Sequence, residues 1–333
     1  MKKYVAYGIG AALVDTEIKV QDAELAQMKV EKGLMTLVDQ ERQAELLGHL
    51  EGHLVKANHA SGGSAGNSMI ATAQFGGPTF MSCKVANDSD GDIYLADLEA
   101  AGVEHCLKHD RAAGTTGKCL VMITPDAERS MNTYLGISET LSTEQLDESA
   151  IGASEYLYIE GYLVTSPTGR AAAVRAREVA EAAGVKTALS FSDPGMVEFF
   201  REGMEEIVGD GLDLVFCNEA EALGWAGTNS LEVALDQLKP VARNFVVTRG
   251  AEGALTWDGE SLAEIPPHRV QAVDSNGAGD MFAGAFLYAI TRGEDFPTAG
   301  RFASLAAGKI VANYGPRLAA QDYPALRDEF FGG

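Results

Sequence analysis

Residues 273–286 read VDSNGAGDMFAGAF, in which three small residues come directly before a strongly apolar helical run. The small residues Gly277, Ala278 and Gly279 are therefore expected at a helix N-terminus, where backbone N–H groups lack partners inside the helix. With the positive end of the helix dipole, these amides form a pocket for an anion such as a phosphate. Asp280 follows in the first turn. From this stretch alone it is either a catalytic carboxylate or a residue that caps the helix.

Segments typical of strands and helices alternate around this turn. From about residue 155 onward the alternation is regular, which predicts an α/β protein whose parallel sheet carries helices on both faces. The strands are predicted at 4–9, 79–85, 119–123, 156–159, 186–191, 214–217, 244–248 and 254–257. The helices are predicted at 168–183, 196–208, 230–241, 279–292 and 298–313.

Two segments break the alternation. Residues 15–40 and 103–135 alternate polar and apolar positions, as half-exposed strands do. We interpret both as excursions that form a small second sheet, a candidate lid. Because no repeat, low-complexity tract or charged linker divides the chain, residues 1–333 are expected to form a single domain.

The net charge excludes two classes of binding partner, and the cysteine content indicates the redox environment. Among 333 residues there are 26 Lys and Arg against 48 Asp and Glu, a formal net charge of −22. Such a surface repels nucleic acid and anionic lipid, so neither is an expected partner. The four cysteines form no Cys-x-x-Cys pair, which favours reduced thiols in a cytoplasmic protein.

The N-terminus resembles a signal peptide and one glycine pair resembles a dinucleotide-binding motif, but neither pattern is complete. Lys2 and Lys3 precede an apolar stretch, but Asp15 follows without a small-residue cleavage site, so a first strand fits better than a signal peptide. Gly8 and Gly10 match the start of a dinucleotide fingerprint whose third small residue is missing.

The 273–286 stretch resembles the C-terminal signature of the ribokinase-like (PfkB-type) sugar and nucleoside kinases. Other motifs similar to that family follow its order along the chain: SGGSAGNS at 61–68, GG at 76–77, NEAE at 218–221 and TRGAEG at 248–253. Likeness to the adenosine kinase branch lies in ERS at 128–130, EGY at 160–162, DP at 193–194 and FFRE at 199–202. The resemblance implies a three-layer αβα ribokinase-like fold with a mostly parallel central sheet and a small β-sheet lid.

The resemblance also implies the catalytic group. Asp280 corresponds to the base that removes the proton of an alcohol while the γ-phosphoryl group moves. The amides of residues 277–279 would then stabilise charge on the moving phosphoryl oxygens. Arg129, in the expected lid, is a candidate clamp on that phosphoryl group, with a surface arginine as the alternative.

On the acceptor side, the resemblance implies that Asp15 accepts hydrogen bonds from a ribose diol. Asp15 is expected where the first strand ends, and an ordinary strand-ending turn is the alternative. Gly62, Gly63 and Asn67 are expected to close over the same sugar, with a glycine-rich turn leading into a helix as the alternative.

On the nucleotide side, the family pattern places Asn218 and Glu221 around Mg²⁺ and its waters, a role that suits a cation reluctant to dehydrate. The alternative is an exposed acidic helix start. Thr248, Gly250 and Gly253 are expected to line the nucleotide.

Two further residues are assigned from the same resemblance. Asn313 is expected at the adenine edge. Asp274, with the backbone around 313–315, is a candidate site for a monovalent cation such as K⁺.

Together these residues predict an ATP- and Mg²⁺-dependent kinase acting on a primary hydroxyl of a ribose-containing acceptor, with a nucleoside such as adenosine expected first. The alternatives are a sugar kinase that takes ribose or fructose, and a catalytically silent nucleotide-binding protein. The partners are then a small acceptor and ATP, and the chain is expected to act as a monomer or homodimer.

Overall fold

The computed structural model of the chain describes residues 2–50, 60–107 and 111–332. The strands in these ranges are β1 (Tyr4–Ile9), β2 (Leu13–Lys19), β3 (Met35–Leu37), β4 (Ala60–Gly62), β5 (Thr79–Ser82), β6 (Val103–Glu104), β7 (Gly117–Ile123), β8 (Arg129–Tyr134), β9 (Ser154–Glu160), β10 (Lys186–Ser190), β11 (Leu212–Asn218), β12 (Ala242–Thr248), β13 (Ala254–Trp257) and β14 (Leu262–Ile265). The helices are α1 (Asp22–Gln27), α2 (Gln40–Leu50), α3 (Ser64–Gln74), α4 (Ser89–Ala100), α5 (Glu148–Gly152), α6 (Pro167–Ala182), α7 (Pro194–Phe199), α8 (Arg201–Val208), α9 (Glu219–Ala226), α10 (Leu231–Leu238), α11 (Ala278–Thr291), α12 (Phe296–Val311) and α13 (Asp322–Phe331).

The large sheet has the order β14-β13-β12-β11-β10-β9-β1-β5-β6. All strands from β12 through β6 run parallel, and β13 and β14 add an antiparallel edge. Parallel strands connected by helices bring their carboxyl ends to one edge of the sheet, which is where ligands bind in such folds.

Helices cover both faces of this sheet. On β9, Leu157 and Ile159 pack into a core with α6, α8, α9 and α10. The alternate residues Tyr156 and Tyr158 point the other way, into a core with α3, α11 and α12. The predicted three-layer αβα architecture with a mostly parallel sheet is confirmed.

The small sheet has the order β3-β8-β7-β2-β4. One face is covered by α1 and α2, whose Leu25 and Leu46 pack with Ile18 and Met122. The opposite face carries Cys119, with Leu13 and Met131 packed nearby. The sheet therefore has one covered face and one that looks toward the large sheet.

The structure corrects the predicted limits of this second sheet. Residues 22–27 are helical rather than extended, because Gln21 and Glu24 form a capping box. Residues 103–104, predicted within the lid, instead pair with β5 at the edge of the large sheet. The short strand β4, which pairs with β2, was not predicted.

The predicted helix at 196–208 is two helices, α7 and α8. The chain leaves helical geometry at Phe200 (φ −122°, ψ 27°), which packs Phe200 against the core and leaves Phe199 72% exposed. Within the described ranges, no helix combines the length and the apolar character needed to cross a membrane.

Candidate active site

Two adjoining cavities lie at the carboxyl edge of the large sheet. The first, about 440 Å³, opens between that edge and the small sheet. The second, about 410 Å³, lies beside α11 and α12. Both cavities are lined by Thr248, Gly250, Ser275, Ala278, Gly279 and Phe282. They therefore meet at the glycine-rich turn that the sequence singled out.

The turn has the geometry expected of a helix N-terminus. Gly277 is the N-cap of α11 and has φ +73°, a conformation that favours glycine. A Cβ at this position would lie 2.6 Å from Pro316 Cα, so the loop packs directly against the turn. At Gly279 a Cβ would meet no atom within 4 Å, which leaves room for a ligand beside the backbone.

Asp280 does not cap its own helix. Its Oδ1 accepts a hydrogen bond from Ser64 Oγ (2.7 Å) and its Oδ2 accepts one from Asn67 Nδ2 (3.0 Å), both from α3. The capping alternative is therefore wrong. Burial raises the pKa of Asp280, while these two donors and the nearby positive charges of Arg129 and Arg317 act to lower it. The result is a carboxylate with an elevated pKa at the wall of the first cavity.

Asp15 lies on β2 of the small sheet, not at the end of the first strand, which stops at Ile9. It is 6% exposed and lines the first cavity. Burial, followed by the charge of Glu17, raises the pKa of Asp15 to about 8. No donor among the residues that the structure describes holds its carboxyl oxygens. Its hydrogen-bonding capacity is thus left for a ligand.

The two glycines of the 61–68 motif fit around Asp15 and α3. A Cβ at Gly62 would lie 2.1 Å from Asp15 Oδ1, so the carboxyl group packs flat against the glycine. Gly62 therefore lies behind Asp15, outside the cavity lining. Gly63 does line the cavity, and its φ of +87° at the N-cap of α3 requires glycine.

Arg129 begins β8 and lines the first cavity. Its Nε is buried and has no hydrogen-bond partner in the described part of the chain. Burial raises the pKa of Asp280, Asp193 and Glu221, and the positive charge of Arg129 acts against that rise in each case. The surface alternative does not describe this residue, since its Nε is buried and the residue lines the cavity.

Asn218 and Glu221 form a capping box at the start of α9. Asn218 Oδ1 accepts from the Glu221 N–H (2.8 Å), and the Glu221 carboxylate accepts from the Asn218 N–H (2.9 Å) and Nδ2 (2.7 Å). Glu221 is 4% exposed, so the predicted alternative of an exposed acidic helix start is wrong. Burial raises its pKa to about 7. Both residues line the first cavity.

The nucleotide residues predicted from sequence separate into two groups. Thr248, Gly250 and Gly253 line the second cavity, and Gly253 has φ +88° where a Cβ would lie 2.0 Å from Ile265 O. Asn313 is exposed, lines neither cavity, and donates from Nδ2 to Lys309 O (2.7 Å). The side chain of Asn313 folds back on the end of α12, and its placement at the adenine edge stays a prediction.

Asp274 is completely buried and joins two loops. Its Oδ1 accepts from the Asn276 N–H (2.8 Å) and its Oδ2 from the Gly315 N–H (2.9 Å). These bonds tie the glycine-rich turn to the loop after α12. Nowhere in the described residues do three His, Cys, Asp or Glu side chains gather into a metal-binding group. A monovalent cation here stays a prediction.

Three residues that contact or line the candidate site received no role from the sequence. Ser64 lies inside a quoted motif, but only the fold brings it to Asp280. Glu160 is 1% exposed and accepts from the Ala11 N–H (3.1 Å) and the Ala65 N–H (2.8 Å), so it ties the end of β1 to α3. Arg317 lies in no motif, and its contact with Asn67 spans 250 residues of sequence.

Comparisons with known proteins agree with this geometry. Residues 34–322 match the pfkB family carbohydrate kinases. The adenosine kinase of Saccharomyces cerevisiae is 27% identical over 320 residues, which cover 91% of this chain and 90% of the yeast protein.

Two solved structures are similar over almost the whole chain. The adenosine kinase from Sinorhizobium meliloti has a TM-score of 0.93 and 34% identity, covering 98% of this chain and 99% of its own. A probable sugar kinase from Rhizobium etli CFN 42 also has a TM-score of 0.93, with 31% identity and coverage of 99% and 100%. The predicted ribokinase-like fold and the likeness to the adenosine kinase branch are confirmed. The chain belongs to the pfkB family of carbohydrate kinases, enzymes that transfer a phosphoryl group to an alcohol acceptor.

Proposed function

We propose that the chain is an ATP- and Mg²⁺-dependent nucleoside kinase that phosphorylates the primary hydroxyl of a ribose, with adenosine as the first acceptor to test. The observation that carries the proposal is the position of Asp280, in the wall of the first cavity where it meets the second at the glycine-rich turn. A base at such a junction lies between an acceptor on one side and a phosphoryl donor on the other.

The second cavity suits the donor nucleotide. It is lined by Gly250 and Gly253 and shares the amides at the start of α11 with the first cavity. Unpaired amides at a helix N-terminus favour phosphate groups, so the triphosphate would point from this cavity toward Asp280.

The first cavity suits a nucleoside better than a free sugar. Its small-sheet wall is largely apolar and is formed by Leu13, Met35, Leu37, Met131 and Leu135. A flat base can cover these side chains while Asp15 accepts hydrogen bonds from the ribose diol. A bare sugar would leave the apolar wall in water. In this proposal the small sheet is a lid that excludes water from the reacting groups.

The reaction follows from these placements. Asp280 takes the proton of the primary hydroxyl. The hydroxyl oxygen bonds to the γ-phosphorus of ATP, and the bond between the γ-phosphorus and the leaving ADP breaks. The amides of residues 277–279 stabilise charge on the moving phosphoryl oxygens, and one well-placed donor of this kind contributes about 3 kcal/mol. Arg129 adds a positive charge from the small sheet.

Asn218 and Glu221 fit a role next to Mg²⁺. Each Glu221 oxygen accepts one hydrogen bond in the capping box, which leaves lone pairs for waters that a cation carries. When bound with ATP, Mg²⁺ neutralises charge on the phosphates. A nearby cation would also keep the buried Glu221 carboxylate ionised.

The test is ADP release by the purified chain with ATP and Mg²⁺ against a panel of nucleosides, ribose and fructose, with Asp280→Asn as the inactive control. Release that depends on a nucleoside, with formation of its 5′-phosphate, supports the proposal. Release with ribose or fructose but no nucleoside would make the chain a sugar kinase. ATP binding without turnover on any acceptor would support the catalytically silent alternative.

A further inference from the structure

Arg317 lies in the loop between α12 and α13, and its guanidinium reaches α3, α4 and β4. Nη1 donates to Asp97 Oδ2 (2.6 Å), and Nη2 donates to Ser61 Oγ (2.6 Å) and to the Ser61 carbonyl. Nε and Nη2 also donate to Asn67 Oδ1, at 3.2 and 3.1 Å. The side chain is 15% exposed. So many contacts on a largely buried arginine fix its position well.

Asn67 stands between this arginine and Asp280. A guanidinium can only donate hydrogen bonds, and an ionised carboxylate can only accept them. The Asn67 amide can satisfy both neighbours in one orientation alone, with Oδ1 toward Arg317 and Nδ2 toward Asp280 Oδ2. The structure has this orientation, and Asn67 is 5% exposed, so little water is available to replace either partner.

We propose that Arg317 is a positioning residue for the catalytic base: it holds the Asn67 amide in the orientation that donates to Asp280. This inference rests on the proposed function only in that Asp280 is the base. Without Arg317, the amide can rotate and present Oδ1 to the carboxylate. Two facing oxygens repel unless the carboxylate holds a proton, and a protonated Asp280 cannot accept one from the alcohol.

Asp97 anchors the arginine in turn. Besides the ion pair with Arg317, its Oδ2 accepts from the Ser61 N–H (2.9 Å) and Ser61 Oγ (2.7 Å). Burial acts to raise the pKa of Asp97, but Arg317 and Ser61 outweigh it and the pKa lies below its usual range. The contacts therefore run in series from Asp97 through Arg317 and Asn67 to Asp280.

Other charges also act on Asp280 and must be held constant in a test. The titratable and charged groups that face it are Arg129, Arg317, Asp15, Glu160, Tyr158 and Tyr162. Replacing Arg317 removes a positive charge as well as a donor pair, so a variant that keeps the charge is needed. Arg317→Lys keeps the positive charge but lacks the planar guanidinium, whose Nε and Nη2 both donate to Asn67 Oδ1.

The direct experiment is a carboxyl ¹³C NMR titration of Asp280 in the full chain, with its signal assigned by its loss in Asp280→Asn. In Arg317→Met we expect the midpoint to move about one pH unit upward, as loss of a hydrogen bond to a charged group implies. Arg317→Lys should give a smaller upward shift. This readout needs no turnover, so it is independent of the identity of the acceptor.

The matched control is Arg327→Met. Arg327 lies on α13 near the same loop, donates to Phe75 O (3.1 Å) and pairs with Asp328 (2.7 Å). We expect no shift of the Asp280 midpoint in this variant. If Arg317→Met is poorly folded, Asp97→Asn loosens the same guanidinium without removing it and should shift the midpoint in the same direction.

With an acceptor that supports turnover, the acid side of the kcat–pH profile should move upward with the NMR midpoint, while KM for ATP stays unchanged. An Asp280 midpoint that is the same in the wild type, Arg317→Met and Asp97→Asn would overturn the inference, whatever the rate. Arg317 would then support the fold of the loop and nothing more.

Discussion

In the proposed complex, the large-sheet side of the first cavity carries the groups for phosphoryl transfer, the glycine-rich turn and Asp280, whereas the small-sheet side carries an apolar wall and Asp15. At the start of α11 the glycine-rich turn carries the amides of residues 277–279, of which the Ala278 N–H donates to Ser275 O (3.3 Å). Across the cavity, β2, β3 and β8 present Asp15, Leu37 and Met131. In the proposed function, the amides and Asp280 act on the phosphoryl group, whereas the apolar wall and the Asp15 carboxyl group select the acceptor. Chemistry then belongs mainly to the large-sheet side and selectivity to the small sheet, with Arg129 as the contribution of the small sheet to the chemistry.

The two sides also differ in how they are supported. The large sheet is packed on both faces by helices. In the described part of the chain, the small sheet is packed by α1 and α2 on one face, and its other face borders the cavity. Polar contacts join it to the large-sheet side: Ser275 Oγ donates to Ala127 O (3.0 Å), and Asn276 Nδ2 donates to Glu17 Oε1 (3.2 Å).

The largest effect is expected on the large-sheet side. Asp280→Asn should lower kcat by about 10²- to 10⁴-fold for every acceptor, because a positioned base contributes this much. ATP affinity, measured by calorimetry, should be similar to that of the wild type. The matched control is Asp295→Asn, since Asp295 is a carboxylate that does cap its helix, accepting from the Thr298 N–H (2.7 Å). A near-normal kcat in Asp280→Asn would remove Asp280 from the mechanism.

A smaller, more selective effect is expected from Asp15 on the opposite side. Above pH 8, where the Asp15 carboxyl group is ionised, Asp15→Asn should raise KM for the acceptor by about 10- to 100-fold, the usual cost of losing hydrogen bonds to a charged group. KM for ATP should change little. Initial rates at varied acceptor and at varied ATP separate the two, and an equal rise in both would contradict the assignment to the acceptor diol.

The ionisation of Asp15 also predicts how KM for the acceptor depends on pH. The pKa of Asp15 is raised to about 8, so the carboxyl group is protonated below that pH and ionised above it. The ionised form accepts hydrogen bonds at both oxygens, so KM for the acceptor should fall as pH rises through about 8. Asp15→Asn should remove that dependence. A KM that is flat across this range in the wild type would contradict it.

The two sides were not equally predictable from sequence. The glycine-rich turn and Asp280 are consecutive, and their conformations follow from local backbone rules, so their placement at a helix start was predicted correctly. The parallel strands were also predicted well, since each is a short apolar run whose buried character needs no knowledge of its neighbours.

The small sheet and the supports of the base depend on contacts between distant residues. The error at residues 22–27 is different in kind, because there a local capping box between Gln21 and Glu24 accompanies a helix where the polar and apolar alternation predicts a strand. Gly62 was assigned to the sugar, but its role is to let the Asp15 carboxyl approach β4. Arg317 and Asn67 are 250 residues apart in sequence, and no local sequence pattern predicts that they contact each other.

The apolar wall should show a modest effect confined to nucleosides. Leu37 lines the cavity and is 41% exposed, so it has apolar surface that a base can cover. Leu37→Ala should raise KM for a nucleoside by about fivefold, which corresponds to about 1 kcal/mol of lost burial. The matched control is Leu262→Ala, at a leucine of similar exposure (46%) on β14, away from both cavities. Equal effects of the two variants would argue against a base on this wall.

The smallest effect is expected where the two sides touch. Glu17 lies two residues after Asp15 on the same face of β2, and its carboxylate accepts from Asn276, the residue before the glycine-rich turn. Glu17→Gln keeps an oxygen that can accept this bond but removes the charge that strengthens it. We expect kcat to fall about two- to fivefold, as a loss of 0.5–1 kcal/mol implies, with KM for both substrates nearly unchanged.

The split between kcat and KM decides what this contact does. If Glu17 only aligns the turn with the small sheet, Glu17→Ala should lower kcat further than Glu17→Gln, because it leaves the Asn276 amide without its acceptor. Asp22→Asn, on the outer helix of the same sheet where Asp22 is 67% exposed, should have no effect. A large rise in acceptor KM for Glu17→Gln would instead place Glu17 on the acceptor. The small-sheet surface that selects the acceptor would then extend from Asp15 to Glu17 along β2.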